Sequence, residues 1–140
     1  MNIAFTSIAA GVTLSGLVGT AAHAEPFGPL TVHAQEVRNT DTKGRTTDEV
    51  ATFNAPADRI FDEKRFSITQ EGHGKAQSCT LIPIRTPVTL YAEDRSPVEL
   101  TAVTSFSLRA HAETGSGAGR LGETAFMRCN ASGWYVEYKR

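Results

Sequence analysis

The chain has 140 residues, of which 40% are hydrophobic and 21% charged, and its formal net charge at pH 7 is −1. This near-neutral balance argues against a general nucleic-acid binder, which carries a basic stripe, and gives no electrostatic reason to bind an anionic membrane. The length suits one domain that can bury a hydrophobic core.

The first predicted element is a secretory signal peptide, Met1–Ala24. An apolar run from Ile3 to Val18 precedes Ala22-His23-Ala24, a small-x-small pattern that signal peptidase accepts, so the mature chain is expected to begin at Glu25. The alternatives are an uncleaved anchor and a buried helix, because no Lys or Arg precedes the apolar run. That run is shorter than the roughly 20 apolar residues of a spanning helix. We therefore expect a secreted or periplasmic protein with no membrane anchor after cleavage.

Alternating apolar residues predict strands in the first half of the mature chain. The clearest is Leu30–Val37, and shorter candidates are Glu49–Phe53 and Arg65–Gln70. The polar segment Arg38–Thr47 between the first two reads as a long exposed loop.

One short helix is predicted over Ala57–Lys64. Asn54 is a suitable cap and Pro56 suits a first helical turn. Ile60 and Phe61 would give this helix a small apolar face.

The longest periodic signal is in the second half of the chain, over Val98–Ala110. Apolar residues occupy alternate positions there, with Val103 as the exception: Val98, Leu100, Ala102, Phe106, Leu108 and Ala110. This period predicts a long strand with one face on a core. Two further strands, Ser78–Ile84 and Thr86–Ala92, precede it, and their prolines indicate a sheet edge or a bend.

A β-hairpin is predicted at the end of the chain. Its strands are Gly122–Cys129 and Trp134–Tyr138, joined by a four-residue turn, Asn130–Gly133. Asn130 also begins an Asn-Ala-Ser sequence, which would be an exposed glycosylation acceptor in a eukaryotic secretory pathway. We expect Trp134 to pack beside the disulfide described next.

The two cysteines, Cys79 and Cys129, are expected to pair because an exported domain meets an oxidising compartment. Two free thiols would be the alternative if the chain stayed in the cytosol. Neither cysteine has a Cys or His at ligand spacing, so no metal site is predicted there.

Taken together, these elements predict an all-β, mainly antiparallel domain over residues 25–140. It would be a small β-sandwich or barrel of about seven strands, with at most one short helix and one disulfide. An immunoglobulin domain is not indicated, because Trp134 follows both cysteines instead of lying between them.

No catalytic set and no cofactor are predicted. The run Gly115–Arg120 is glycine-rich like a phosphate-binding loop, but it leads into a strand and lacks the Lys-Ser/Thr ending. His73, between two glycines, is the most accessible candidate for a metal ligand or general base. It would have to converge with His33, His111 or a carboxylate through folding.

The leading functional hypothesis is a non-enzymatic domain that binds a protein, such as an inhibitor, an immunity protein or a virulence factor or effector. Its expected contact surfaces are the loops Arg38–Thr47 and His111–Arg120, or an exposed strand edge. The alternatives are a small secreted hydrolase or metal-dependent enzyme using His73, and a structural subunit of an envelope or surface assembly.

Overall fold

The computed structural model describes residues 24–39 and 42–137, and the predicted signal peptide lies outside them apart from Ala24. Within these ranges the chain forms antiparallel strands and a 3-10 turn at Ala118–Arg120, with no α-helix. The seven strands are β1 (Ala24–Val37), β2 (Thr46–Asn54), β3 (Arg59–Phe61), β4 (Ser67–His73), β5 (Ala76–Tyr91), β6 (Pro97–Glu113) and β7 (Thr124–Glu137). No helix of the described part is long and apolar enough to cross a membrane.

Two sheets form a sandwich, which decides between the two predicted architectures. One sheet has the order β2-β6-β5. In the other, β7 is central: β1 pairs with one side of it, while β4 and β3 pair with successive parts of its other side. The core between the sheets draws on both central strands, from Phe106, Leu108, Ala110 and Ala112 of β6 and from Ala125, Met127, Cys129 and Ala131 of β7.

The strand predicted over Val98–Ala110 is confirmed as part of β6, but its alternate apolar residues do not all share one face. The register with β5 shifts between Ile84 and Arg85, so β6 carries one extra residue at this point. Such a bulge changes which face the neighbouring side chains take. Val103 therefore joins Phe106 in the main core, while Ala102 packs into a second, smaller cluster.

The predicted pair of strands before β6 is a single strand, β5, of 16 residues. It pairs only with β6 among the described strands, so the sheet-edge interpretation of Pro83 and Pro87 is confirmed. A proline on an edge strand can leave its missing N–H on the solvent side.

The predicted helix over Ala57–Lys64 is wrong, because this segment contains β3. Strand geometry sends Phe61 and Ile60 to opposite faces, and each meets apolar partners. Phe61 lies 5.0 Å from the rings of both Phe27 and Phe106, whereas Ile60 packs against the smaller cluster that contains Val88. A short helix would have placed both side chains on one small face.

The predicted C-terminal turn at Asn130–Gly133 is also wrong, because β7 continues through it. Ala131 is buried and pairs with Leu30 on one side and Ile68 on the other. A Cβ at Gly133 would collide with the backbone oxygen of Arg65 and the ring of Phe27. The glycine therefore permits close packing within a strand and does not form a turn.

The disulfide between Cys79 and Cys129 is present and joins β5 in one sheet to β7 in the other, with the two Cα atoms 5.8 Å apart. Cys129 is fully buried. Trp134 does not pack beside it, because alternation along β7 places Trp134 on the opposite face of the sheet from Cys129.

Candidate protein-binding face

The outward side of the four-stranded sheet carries an unusual row of side chains. Alternate residues of the central strand point outward, namely Phe126, Arg128, Asn130, Ser132 and Trp134. Their cross-strand neighbours on the same side are Thr31, His33 and Gln35 of β1, and Thr69, Glu71 and His73 of β4. We call this set of residues the β7 face. Because β7 is paired on both sides, these side chains stand on a well-supported backbone.

Phe126 lies between two of the predicted site histidines. The ring centroid of His73 is 4.6 Å from that of Phe126, and the centroid of His33 is 5.9 Å from it. The interplanar angles of 90° and 70° give edge-to-face contacts. Folding therefore brings His33 and His73 around an aromatic ring, with the strand β7 between them.

Arg128 follows Phe126 on the same face. Its Nη1 donates to Oε1 of Glu71 at 2.6 Å, and its guanidinium carbon lies 6.0 Å from the centre of the Phe126 ring. His33 is its paired neighbour on β1. The Glu71 carboxylate thus forms an ion pair with Arg128 beside Phe126.

Two further contacts complete the β7 face. Thr31 donates from its hydroxyl to Oδ1 of Asn130 at 2.6 Å, so Asn130 lies mid-strand and not in the predicted exposed turn. The guanidinium of Arg65 lies 4.3 Å above the ring of Trp134. Such stacking is a cation–π contact, and it orders both side chains.

His111 lies on the outward side of the other sheet, so the three predicted histidines do not converge. Its Nδ1 is 2.9 Å from Oδ1 of Asp48, which Nη2 of Arg109 also contacts at 2.6 Å. Ser78 of β5 is the paired neighbour of His111 on its other side, which puts Ser, His and Asp in one row across three strands. Within the described ranges, no group of three or more His, Cys, Asp or Glu side chains could hold a metal ion.

The two loops predicted as contact surfaces are bonded to each other. The N–H of Gly117 donates to the carbonyl of Thr42 at 2.7 Å, and that of Thr114 donates to the carbonyl of Arg45 at 2.8 Å. A cleft of about 340 Å³ lies beside them, lined by Gly74, Lys75, Gly115, Ser116, Arg120 and Glu123.

This cleft does not form a phosphate cradle. The N–H of Gly115 already donates to Glu123 Oε1 at 2.6 Å. The two cations each have a carboxylate partner, since Lys75 pairs with Glu113 and Arg120 with Glu123. The glycine-rich run is therefore a connection between strands, and hydrogen bonds and ion pairs with neighbouring residues such as Glu123 hold it in place.

Asp48, on the outward side of the three-stranded sheet, makes a contribution to stability that depends on pH. The hydrogen bond with His111 and then those from Arg109 lower its pKa from the ordinary value of 3.8. A carboxyl whose pKa is lowered by folding stabilises the folded state above its unfolded pKa, and this stabilisation disappears as the pH falls through the folded pKa. The effect therefore belongs to the pH range below 3.8.

We predict that Asp48→Asn removes this acid-sensitive contribution. The urea midpoint of the native protein should exceed that of the variant above about pH 4, and the gap should close on further acidification. Urea titrations of both proteins at a series of pH values measure this. A gap that stays constant across the acid range would contradict the prediction.

Phe126 and Arg128 were not among the residues singled out from the sequence, and the division of β7 into two strands separated them from Trp134. The signal was present, since Phe126, Arg128 and Trp134 share one parity and the small or apolar residues Ala125, Met127 and Cys129, along with Ala131, share the other. Reading Thr124–Glu137 as one strand would have placed the aromatic and arginine side chains on one exposed face.

Comparisons with known proteins do not indicate a function for this chain. No protein-family model, curated protein or solved structure gives a significant match to it.

Proposed function

We propose that this chain is a secreted or periplasmic, non-enzymatic domain that binds a protein partner through the β7 face. The observation that carries the proposal is the line of Phe126, Arg128 and Trp134 along the outward side of the central strand. Aromatic residues and arginine are enriched in protein interfaces and supply most binding hot spots. The solvent-exposed face of an antiparallel sheet more commonly carries polar residues.

The contacts within the β7 face support binding because they order its side chains in advance. Glu71 holds Arg128, Trp134 holds Arg65, and Phe126 is flanked by two imidazole rings. Ordering a long side chain at an interface costs about 0.5–1.5 kcal/mol, so side chains that are already held lose less freedom on binding.

The inter-sheet disulfide supports a secreted or periplasmic location. Structural disulfides persist in the periplasm and outside the cell and are rare in the cytosol. The predicted export signal and the observed cystine therefore point to the same location.

The enzyme alternative has one supporting contact, between His111 and Asp48. Asp48 is shared with Arg109, and Ser78 makes no hydrogen bond to His111 among the described contacts. The cleft beside the loops is lined by other residues. Nucleophilic catalysis needs the nucleophile within reach of its base, so we favour binding over hydrolysis.

Affinity capture with the exported protein as bait tests the proposal, with periplasmic or extracellular proteins of the source organism as prey. We expect a partner that binds at micromolar concentration or tighter. Phe126→Thr and Arg128→Ala should each weaken this binding by at least about tenfold, as for interface hot spots.

The matched control is Ile82→Thr. Ile82 is an apolar residue that is 54% exposed on the outward side of the other sheet. The Ile82→Thr variant should leave the affinity for the captured partner unchanged. Equal losses for the control and for Phe126→Thr would refute the β7 face as the binding surface, and failure to capture any partner would refute the function.

A further inference from the structure

Exposed strand edges offer unpaired backbone groups to other strands, and proteins protect them with prolines, bulges or short length. Three edges of this sandwich are protected in these ways. β5 carries Pro83, Pro87 and a register shift. β1 carries Pro26, Pro29 and a register shift between Phe27 and Leu30, and the edge opposite it is broken into two strands, β3 of 3 residues and β4 of 7 residues.

The fourth edge, β2, is protected by only one such device, an inward-facing charge at Glu49. Its 9 residues pair with β6 in unbroken register from Thr46 to Asn54, with no proline, lysine or bulge. No other strand of the described part pairs with its free side. Glu49 is its one charged residue on the core-facing parity.

Val50 lies at the centre of β2 and is 58% exposed on the outward side of the sheet. It is the most exposed of the large hydrophobic side chains in the described ranges. A second strand paired along this edge would lie beside Val50 and reduce its exposure.

We propose that the β2 edge pairs antiparallel with β2 of a second copy of this chain, about a two-fold axis at Val50. A two-fold interface brings the same patch of both copies together. The resulting sheet has six strands, and it continues the hydrogen-bond ladder that ends at β2.

The charges along β2 are compatible with this register and exclude registers centred on either carboxylate. Centring the pair on Val50 places Val50 against its own counterpart, Asp48 against Thr52 of the second copy, and Glu49 against Ala51 of the second copy. No two carboxylates then lie opposite each other. A register centred on Asp48 or Glu49 would place two identical carboxylates face to face, which is destabilising.

The dimer leaves the β7 face uncovered, because that face lies on the outward side of the other sheet. Each dimer therefore presents two copies of the β7 face. The inference goes beyond the proposed function and does not rest on it.

Cross-linking of cysteine variants tests both the edge and the register. Directly opposed residues in an antiparallel pair have Cα atoms about 4.5–5.5 Å apart, within the range of about 4.4–6.8 Å that a disulfide spans. Val50→Cys should therefore form a covalent dimer under mild oxidation, seen by intact mass and non-reducing electrophoresis.

The matched control is Thr52→Cys, which is exposed on the same face of the same strand. In the proposed register the two copies of residue 52 are four positions apart along the strands, or about 13 Å. Thr52→Cys should stay monomeric under the oxidation that cross-links Val50→Cys. Equal cross-linking of both variants would overturn the proposal.

The unmodified protein gives the second measurement. Its sedimentation should show a reversible dimer between micromolar and millimolar concentration, and Val50→Lys should shift it to monomer with an unchanged circular dichroism spectrum. A protein that stays monomeric throughout overturns the proposal. So does a Val50→Cys variant that cross-links only to a different protein. Neither result affects partner capture through the β7 face, which Val50→Lys should leave intact.

Discussion

Replacing both Cys79 and Cys129 with alanine is expected to lower the free energy of unfolding by about 4 kcal/mol. The bond closes a loop with a sequence separation of 50, and cross-linking a loop of this length removes much conformational freedom from the unfolded chain. It also joins β5 to β7, so it links the two sheets directly. Equilibrium urea unfolding of the native protein and the double variant measures the difference.

This loss is a large part of the roughly 5–15 kcal/mol by which a domain is ordinarily stable. Reducing agent provides the matched control: it should destabilise the native protein to a similar extent and leave the double variant unchanged. A difference below about 1 kcal/mol would show that the cross-link contributes little, contrary to the chain-entropy argument.

Phe61→Ala is expected to destabilise the protein by about 3–5 kcal/mol, the usual cost of truncating a buried phenylalanine. Phe61 is almost fully buried. Its ring lies 5.0–5.7 Å from four others, those of Phe27, Phe66, Phe106 and Tyr135. Alanine would leave a cavity among these rings. Urea unfolding again supplies the measurement.

Lys64→Ala is the control for this variant, since Lys64 is exposed and only three positions further along the chain. A surface substitution of this kind usually changes stability by less than about 0.5 kcal/mol. If Phe61→Ala cost no more than Lys64→Ala, the segment 59–61 would not pack into the core as β3.

Local periodicity is sufficient to predict most of the strands. Alternation over Val98–Ala110 and Leu30–Val37 is a property of the chain itself, since strand geometry sends successive side chains to opposite faces. The two cysteines, once assigned to an oxidising compartment, have only one intramolecular pairing. These features predict an all-β domain with a disulfide.

Turn and helix signals were less reliable because they describe isolated segments. Asn130–Gly133 has the composition of a turn, but Ala131 pairs with neighbouring strands on both sides. Pro56 and the acidic residues after it favour a helix start, but Phe61 and Ile60 find apolar partners on opposite faces of a strand. Tertiary packing outweighed the local preference in both segments.

The candidate site depended still more on tertiary structure. His33, His73 and His111 were candidates because of the chemistry of histidine. Their neighbours in space depend on how the strands pair. Pairing of β1 and β4 with β7 places His33 and His73 beside Phe126, whereas His111 in β6 meets Asp48 on the other sheet.

The strand-rich class, the long strand β6 and the cystine follow from the amino-acid sequence, because side-chain alternation and cysteine count are local or compositional properties. The sandwich, the continuity of β7 and the composition of its outward face do not follow from local properties. These depend on contacts between residues far apart in the chain, such as Phe126 with His33 and Phe61 with Phe106.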